Sequence, residues 1–219
     1  DLAPLLQNVP SARLFDEILK LLLSGHSLVC LIDLRRRGLH HGLLPILDIV
    51  LEQPLGERFI SIALKHTDER IQQNKPVSAG FMFAILLWHE TLAAWNRRLA
   101  QDEKPIPALH LAMTETLSAQ RNQIAIPRRF DSMIYDVWSL QPRFQLRSGN
   151  KPFRILEHPR FRAAYDFLWL RCESGEIDKE IAEWWHAFQH ASSEDREAML
   201  IQETPTKKRK RNPRKRKSI

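Results

Sequence analysis

The chain has 219 residues, 43% of them hydrophobic, and a formal net charge of +7. That content supports a real core in one large domain or two small ones, while seven glycines and few β-branched runs argue against a β-rich fold. Nine of the last fourteen residues, Thr206 to Ile219, are Lys or Arg; without them, residues 1–205 hold 24 basic against 26 acidic side chains, so the positive charge belongs to the tail and not to the body.

Along the chain, almost every segment reads as amphipathic helix. Leu14, Ile18, Leu21 and Leu22 form one apolar stripe over 11–24, with Ser11 as N-cap, Asp16 and Glu17 in the early turns and Gly25 at the end. A short second helix over 26–37 closes on Arg35, Arg36, Arg37 and Gly38, where cations suit the exposed carbonyls of a helix end as well as they suit RNA. Gly42 and Pro45 mark a break. Ile60, Leu64, Thr67 and Ile71 predict a helix over 57–73. Pro76 fits the first turn of a long helix through Phe81, Ile85 and Trp88; because the run Phe81–Trp88 is apolar all round, this helix is expected to be central and buried. Pro105 and Pro107 break the chain before a helix carrying Leu109, Met113 and Leu117. Pro127 opens another, with Phe130, Ile134, Val137 and Trp138 on one face. A polar, basic connection follows over 143–154. Phe161, Ala164, Tyr165, Leu168 and Cys172 line the next helix, and Ile177, Ile181, Trp184, Trp185 and Phe188 the last. The expected fold is all-α, an irregular helical array. It divides into 1–55, 56–203 and a tail 204–219 whose like charges repel and keep it disordered.

Signals of catalysis are nearly absent. Cys30 and Cys172 lie far apart and form no C-x-x-C, which fits a reducing, cytoplasmic setting. The longest apolar run has eight residues, too short to cross a bilayer, so no transmembrane segment is expected, and no signal peptide is read. There is no Gly-rich phosphate loop, no H-E-x-x-H and no metal-spaced Cys/His set. His40 and His41 are adjacent and point to different sides of a helix, and His89-Glu90 lacks a second His, so the histidines read as surface or satisfied core residues. Glu176, Asp178 and Glu180 would share one face of a strand, as two-metal chemistry needs, but on the first turn of a helix Asp178 points away from the other two. No catalytic residue and no metal ligand is assigned within the chain. It opens on Asp1 rather than Met, which reads as part of a longer protein with a catalytic portion upstream.

The basic residues say more. Between Pro127 and Arg162 stand Arg128, Arg129, Arg143, Arg147, Lys151, Arg154, Arg160 and Arg162, against Asp131, Asp136 and Glu157. Arginine forks suit bidentate phosphate contacts, and the interleaved Trp138, Phe144, Phe153 and Phe161 could either stack on bases or serve the core. The tail adds Lys207, Lys208, Arg209, Lys210, Arg211, Arg214, Lys215, Arg216 and Lys217, a nonspecific handle for phosphate. All seventeen are candidate RNA contacts.

Three stretches together carry a resemblance. Asn8-Val9-Pro10-Ser11-Ala12-Arg13-Leu14-Phe15-Asp16-Glu17, then Ala125-Ile126-Pro127-Arg128-Arg129, then the block Leu156 to Asp166 ahead of Trp184-Trp185 and an arginine-rich end, occur in the order seen in bacterial poly(A) polymerases, class II nucleotidyltransferases related to CCA-adding enzymes. The chain resembles the neck, body and leg of that family, without its head. The resemblance implies adenylyl transfer from ATP to RNA 3′ ends without a template, in mRNA processing and decay, with ATP and Mg2+ held by the missing head and no cofactor in this part. It implies RNA 3′ ends as partner, with an RNA helicase or RNA-decay factors beside them, and an inactive isolated chain. Arg13 and Glu17 match the family's R-x-x-x-E neck motif, which supports the nucleotide pocket; four apart, they can pair on one helix face. The alternatives are a non-catalytic RNA- or protein-docking adaptor, the body of a CCA-adding enzyme, and a tail that serves as a nuclear-localisation signal or membrane-surface patch.

Overall fold

The computed structural model describes residues 9–38, 54–123 and 125–202, and among these it contains ten α-helices and no strand. They are α1 (Ser11–Leu22), α2 (Ser27–Arg36), α3 (Pro54–Gln72), α4 (Ala79–Leu99), α5 (Pro105–Gln123), α6 (Asp131–Leu140), α7 (Lys151–Leu156), α8 (Phe161–Ser174), α9 (Lys179–His190) and α10 (Ser193–Ala198). Short 3-10 turns occupy Arg128–Phe130 and Pro142–Gln145. The all-α expectation holds. The break at Gly42 and Pro45, the pair His40-His41 and the tail from 204 lie outside the described residues.

The apolar run on α4 sets the centre. Met82 to Trp88 are all buried, so the helix is wrapped on every side, with α5 and α6 packed along it. One cluster gathers Leu14, Ile18 and Leu22 of α1, Phe59, Ile60 and Leu64 of α3, Leu109, Met113 and Leu117 of α5, and Ile134, Val137 and Trp138 of α6. A second gathers Phe144, Ile155, Phe161, Leu168, Trp185 and Phe188. Helix α8 serves both, giving Phe167 and Leu170 to the first and Ala164, Tyr165, Leu168 and Cys172 to the second. Each large side chain so buried contributes about 1.5–3 kcal/mol.

A polar network ties the two clusters together. Gly175 ends α8 in the left-handed conformation, φ +85°, where a Cβ would be strained, and the next amide, Glu176 N–H, donates back to Arg171 O at 2.9 Å. That turn brings the Glu176 carboxylate under the helix. It accepts from Arg171 Nε at 2.8 Å and from Trp88 Nε1 at 2.9 Å. Arg171 Nη1 donates to Gln141 Oε1 at 3.2 Å, and Gln141 Nε2 donates to the Val137 and Ala164 carbonyls. Across the molecule, Asp68 of α3 accepts from Ser27 N–H, Ser27 Oγ and Leu28 N–H at 2.8–3.0 Å, capping α2 from a neighbouring helix.

Four local expectations are corrected. Helix α1 starts at Ser11 with Pro10 as its N-cap, so Ser11 is not the cap. Pro76 stays outside α4; Ser78 caps that helix, its Oγ accepting from Phe81 N–H at 3.4 Å. The segment 143–154 is not a plain connection, since it holds a 3-10 turn and α7 and buries Phe144, Pro152 and Ile155. Ile177 precedes α9, whose N-cap is Asp178, and α10 follows where no helix was expected.

Candidate nucleic-acid interface

A cleft of about 880 Å³ opens between the second half of α3, the connection Lys75–Ser78, the start of α4, Met133 of α6, and α8. Arg70, Lys75, Arg160 and Arg162 line it against two carboxylates, Glu69 and Asp166, and Phe81, Tyr165 and Trp169 supply aromatic wall. Each cation is positioned by its own local structure. Arg70 Nη2 donates to Pro76 O at 3.1 Å. Lys75 has no carboxylate partner among the described residues. Arg160 sits on a locked turn: His158 Nδ1 accepts from Arg160 N–H at 3.1 Å, and His158 O accepts from Phe161 N–H at 2.8 Å. Its guanidinium lies 3.9 Å from Asp136. Arg162 pairs with Asp166 at 3.1 Å, one turn along α8, and rests 6.0 Å over the Tyr165 ring. Burial pushes the Asp166 carboxyl above the usual carboxylate range, against the pull of Arg162 and then Arg70.

Arg128 and Arg129 are exposed. Their 3-10 turn ends in Phe130, which packs so closely on the first turn of α4 that a Cβ on Gly80 would stand 3.4 Å from Phe130 and 3.1 Å from Met133, a cleft residue. The missing side chain of Gly80 permits that approach. Arg129 lies 4.9 Å over the Phe130 ring.

The other predicted contacts fall elsewhere. Lys151 and Arg154 line a second hollow of about 760 Å³ with Glu197 and residues 200–202. Arg143 is exposed on its 3-10 turn. The Arg147 side chain, 15% exposed, pairs with Glu180 and lies 5.7 Å over Trp184, so it fastens α9. Arg70, Lys75 and Trp169 were not read as contacts, because they belong to elements distant in sequence that only packing brings to the cleft. Trp138, Phe144 and Phe161 are core residues and Phe153 packs on Phe188 at 5.4 Å, so of the two roles open to these aromatics they take the packing one. The tail cations Lys207 to Lys217 lie outside the described residues.

On α1, Arg13 and Glu17 are both exposed. Glu17 pairs with Lys20 at 2.8 Å; Lys20 is the main reason its carboxyl sits below the usual range, and Arg13 adds a smaller attraction. Arg35 pairs with Glu57, and Arg37 with Asp33 at 2.9 Å, as a helix end would use them.

Among the described residues no group of three or more His, Cys, Asp or Glu side chains is placed to hold a metal. Glu176 is in the core network, Asp178 caps α9 by accepting from Glu180 N–H at 3.0 Å, and Glu180 pairs with Arg147. Engaged in these separate contacts, the three carboxylates do not fit a Mg2+ site. His89 is buried beside Phe59, and neither ring nitrogen has a hydrogen-bond partner, so it is a core histidine but not a satisfied one.

Residues 101–218, more than half of the chain, match the family described as "Polymerase A arginine-rich C-terminus". The chain belongs to that family. Residues 1–51 match a second family, described as "Probable RNA and SrmB- binding site of polymerase A". Among curated relatives, a poly(A) polymerase I of Haemophilus influenzae is 38% identical over all of this chain and 50% of its own length. Those of Salmonella typhi and Escherichia coli O6:H1 are 35% and 37% identical over 98% of this chain and 48% of theirs. The chain therefore spans about half the length of these relatives. The arginine-rich family covers the Arg128–Phe130 turn, α6 to α10 and most of the tail, and so one whole side of the cleft.

Proposed function

We propose that this chain is the RNA-holding portion of a poly(A) polymerase, an enzyme that adds AMP from ATP to RNA 3′ ends without a template. The observation that carries the reading is the cleft: in a body with a slightly acidic balance, four cations meet two carboxylates around one concavity, and the turn that carries Arg128 and Arg129 ends in Phe130, packed where the cleft residue Met133 meets Gly80. Guanidinium forks and a lysine so placed neutralise successive phosphates, and counterion release makes the attachment tight at low salt. The tail adds nonspecific phosphate contacts.

Nucleotide transfer with ATP and Mg2+ belongs, in this reading, to a portion outside this chain, with Arg13 and Glu17 supporting the nucleotide pocket from α1. The 219-residue chain alone incorporates no AMP into an RNA primer; incorporation by it would overturn that point. No helix among the described residues is long and apolar enough to cross a membrane. A helicase or another RNA-decay factor fits the description of the family matched at 1–51, and Val29 and Ile32 are exposed on α2 within it. That observation keeps the adaptor as a second, compatible reading.

The test is charge reversal, R128E/R129E/R160E/R162E, with affinity for single-stranded RNA measured by anisotropy. About 10-fold or greater weakening is expected at moderate salt. Unchanged affinity would place the RNA on another face.

A further inference from the structure

We propose that Trp169 and the surrounding cations form a subsite for one unpaired nucleotide of the RNA, with the indole carrying the base and Arg160, Arg162 and Lys75 the flanking phosphates. This rests on the RNA-holding reading and specifies how the cleft is used.

Six tryptophans stand in the chain, and five spend their indole N–H within it. Trp88 donates to Glu176, Trp95 to Pro105 O, Trp138 to Ala84 O, Trp184 to Met199 O and Trp185 to Phe144 O, at 2.8–3.2 Å. Trp169 alone has no acceptor among the described residues. Inward tryptophans normally satisfy that donor, so an unused one on a concave wall is available to a ligand oxygen. Trp169 is half-buried and lines the cleft. Its ring packs against Tyr165, 6.3 Å between centroids at 39°.

Position supplies the phosphate side. Trp169 lies seven residues after Arg162 on α8, hence on the same face and about 10 Å further along the axis. Arg162 and Arg160 stand at the helix start and Lys75 on the opposite wall. Cations at the mouth and an aromatic face within match what single-stranded nucleic acid presents, a charged backbone with splayed bases. A duplex keeps its base faces stacked and can use only the cations.

The test compares the 219-residue chain with W169A and W169F, binding short single-stranded oligo(A) and a blunt RNA duplex of equal length. W169A is expected to weaken oligo(A) by about 5- to 100-fold with an unchanged salt slope and unchanged duplex affinity, and W169F, which keeps a stacking face but loses the N–H donor, to weaken it by an intermediate factor. Equal loss on both RNAs, or oligo(A) affinity within about twofold of the parent for a W169A chain with unchanged melting temperature, would overturn the subsite. If W169A fails to fold, photo-cross-linking of 4-thiouridine RNA to the parent decides: cross-linked peptides from residues 161–174 support the subsite, and cross-links confined elsewhere overturn it. If the parent itself does not bind oligo(A), the RNA-holding reading falls and the subsite with it.

Discussion

Glu176 accepts hydrogen bonds from Arg171 and Trp88 with only 8% of its side chain exposed. Truncating it leaves the buried Arg171 guanidinium without its counter-charge and the Trp88 indole N–H without an acceptor, so E176A is expected to cost about 3–5 kcal/mol in urea unfolding. A loss below 1 kcal/mol would contradict the buried network. Cys172, in the same helix, is buried, and burial pushes its thiol up to about 11, whereas Cys30 is part-exposed on α2. Iodoacetamide at pH 8 should therefore label Cys30 well ahead of Cys172 in the native chain; equal labelling would show that the α8 core opens. The acids show what was legible at this scale. Of Glu176, Asp178 and Glu180, all read as first-turn residues of a helix, only Glu180 is one; Asp178 is the N-cap and Glu176 belongs to the turn after α8. The inward course of Glu176 follows from the left-handed turn at Gly175, and no local pattern announces that.

At the level of elements, long periodic stripes were readable because each has a core neighbour on one side. The all-apolar run Phe81–Trp88 correctly implied a helix enclosed on every face. Helices α7 and α10, six residues each, are too short for periodicity to register, and the burial of Pro152 and Ile155 in α7 follows from tertiary packing. The cap of α2 comes from Asp68, 41 residues away, beyond any sequence-local rule. Helix α4 also carries a titrating group in the core. Burial holds the His89 pKa below its usual value; Glu176, 3.9 Å from Nε2, pulls it upward and Arg171 pushes it down. The folded state thus favours neutral His89, and the unfolded chain binds the proton more readily. Stability then rises with pH through the interval from the depressed folded value to about 6.5, and falls as pH drops through it. Melting temperature should decline between pH 7 and pH 5, and H89F, which keeps the edge contact with Phe59, should shrink that decline. An equal decline in both would assign the effect to other groups.

At the scale of the whole molecule, the tail dominates the net charge and yet does not locate the site. Of the arginines of 128–162, Arg160 and Arg162 line the cleft. Their sequence pattern could not reveal that Arg147 is tied to Glu180, or that Arg70 and Lys75 complete the cleft from α3 and its connection. Those facts follow from helix packing alone. The central claim is that the helical body, and not only the basic tail, holds RNA. It is tested most directly by the salt dependence of oligo(A) binding for the chain ended at Glu203 beside the whole chain. With four phosphates neutralised in and beside the cleft, the shortened chain should keep a slope of about −3 in log K against log salt, and the whole chain should be steeper by about 3. A shortened chain with no measurable binding, or a slope near zero, would contradict the account and leave the tail as the sole attachment.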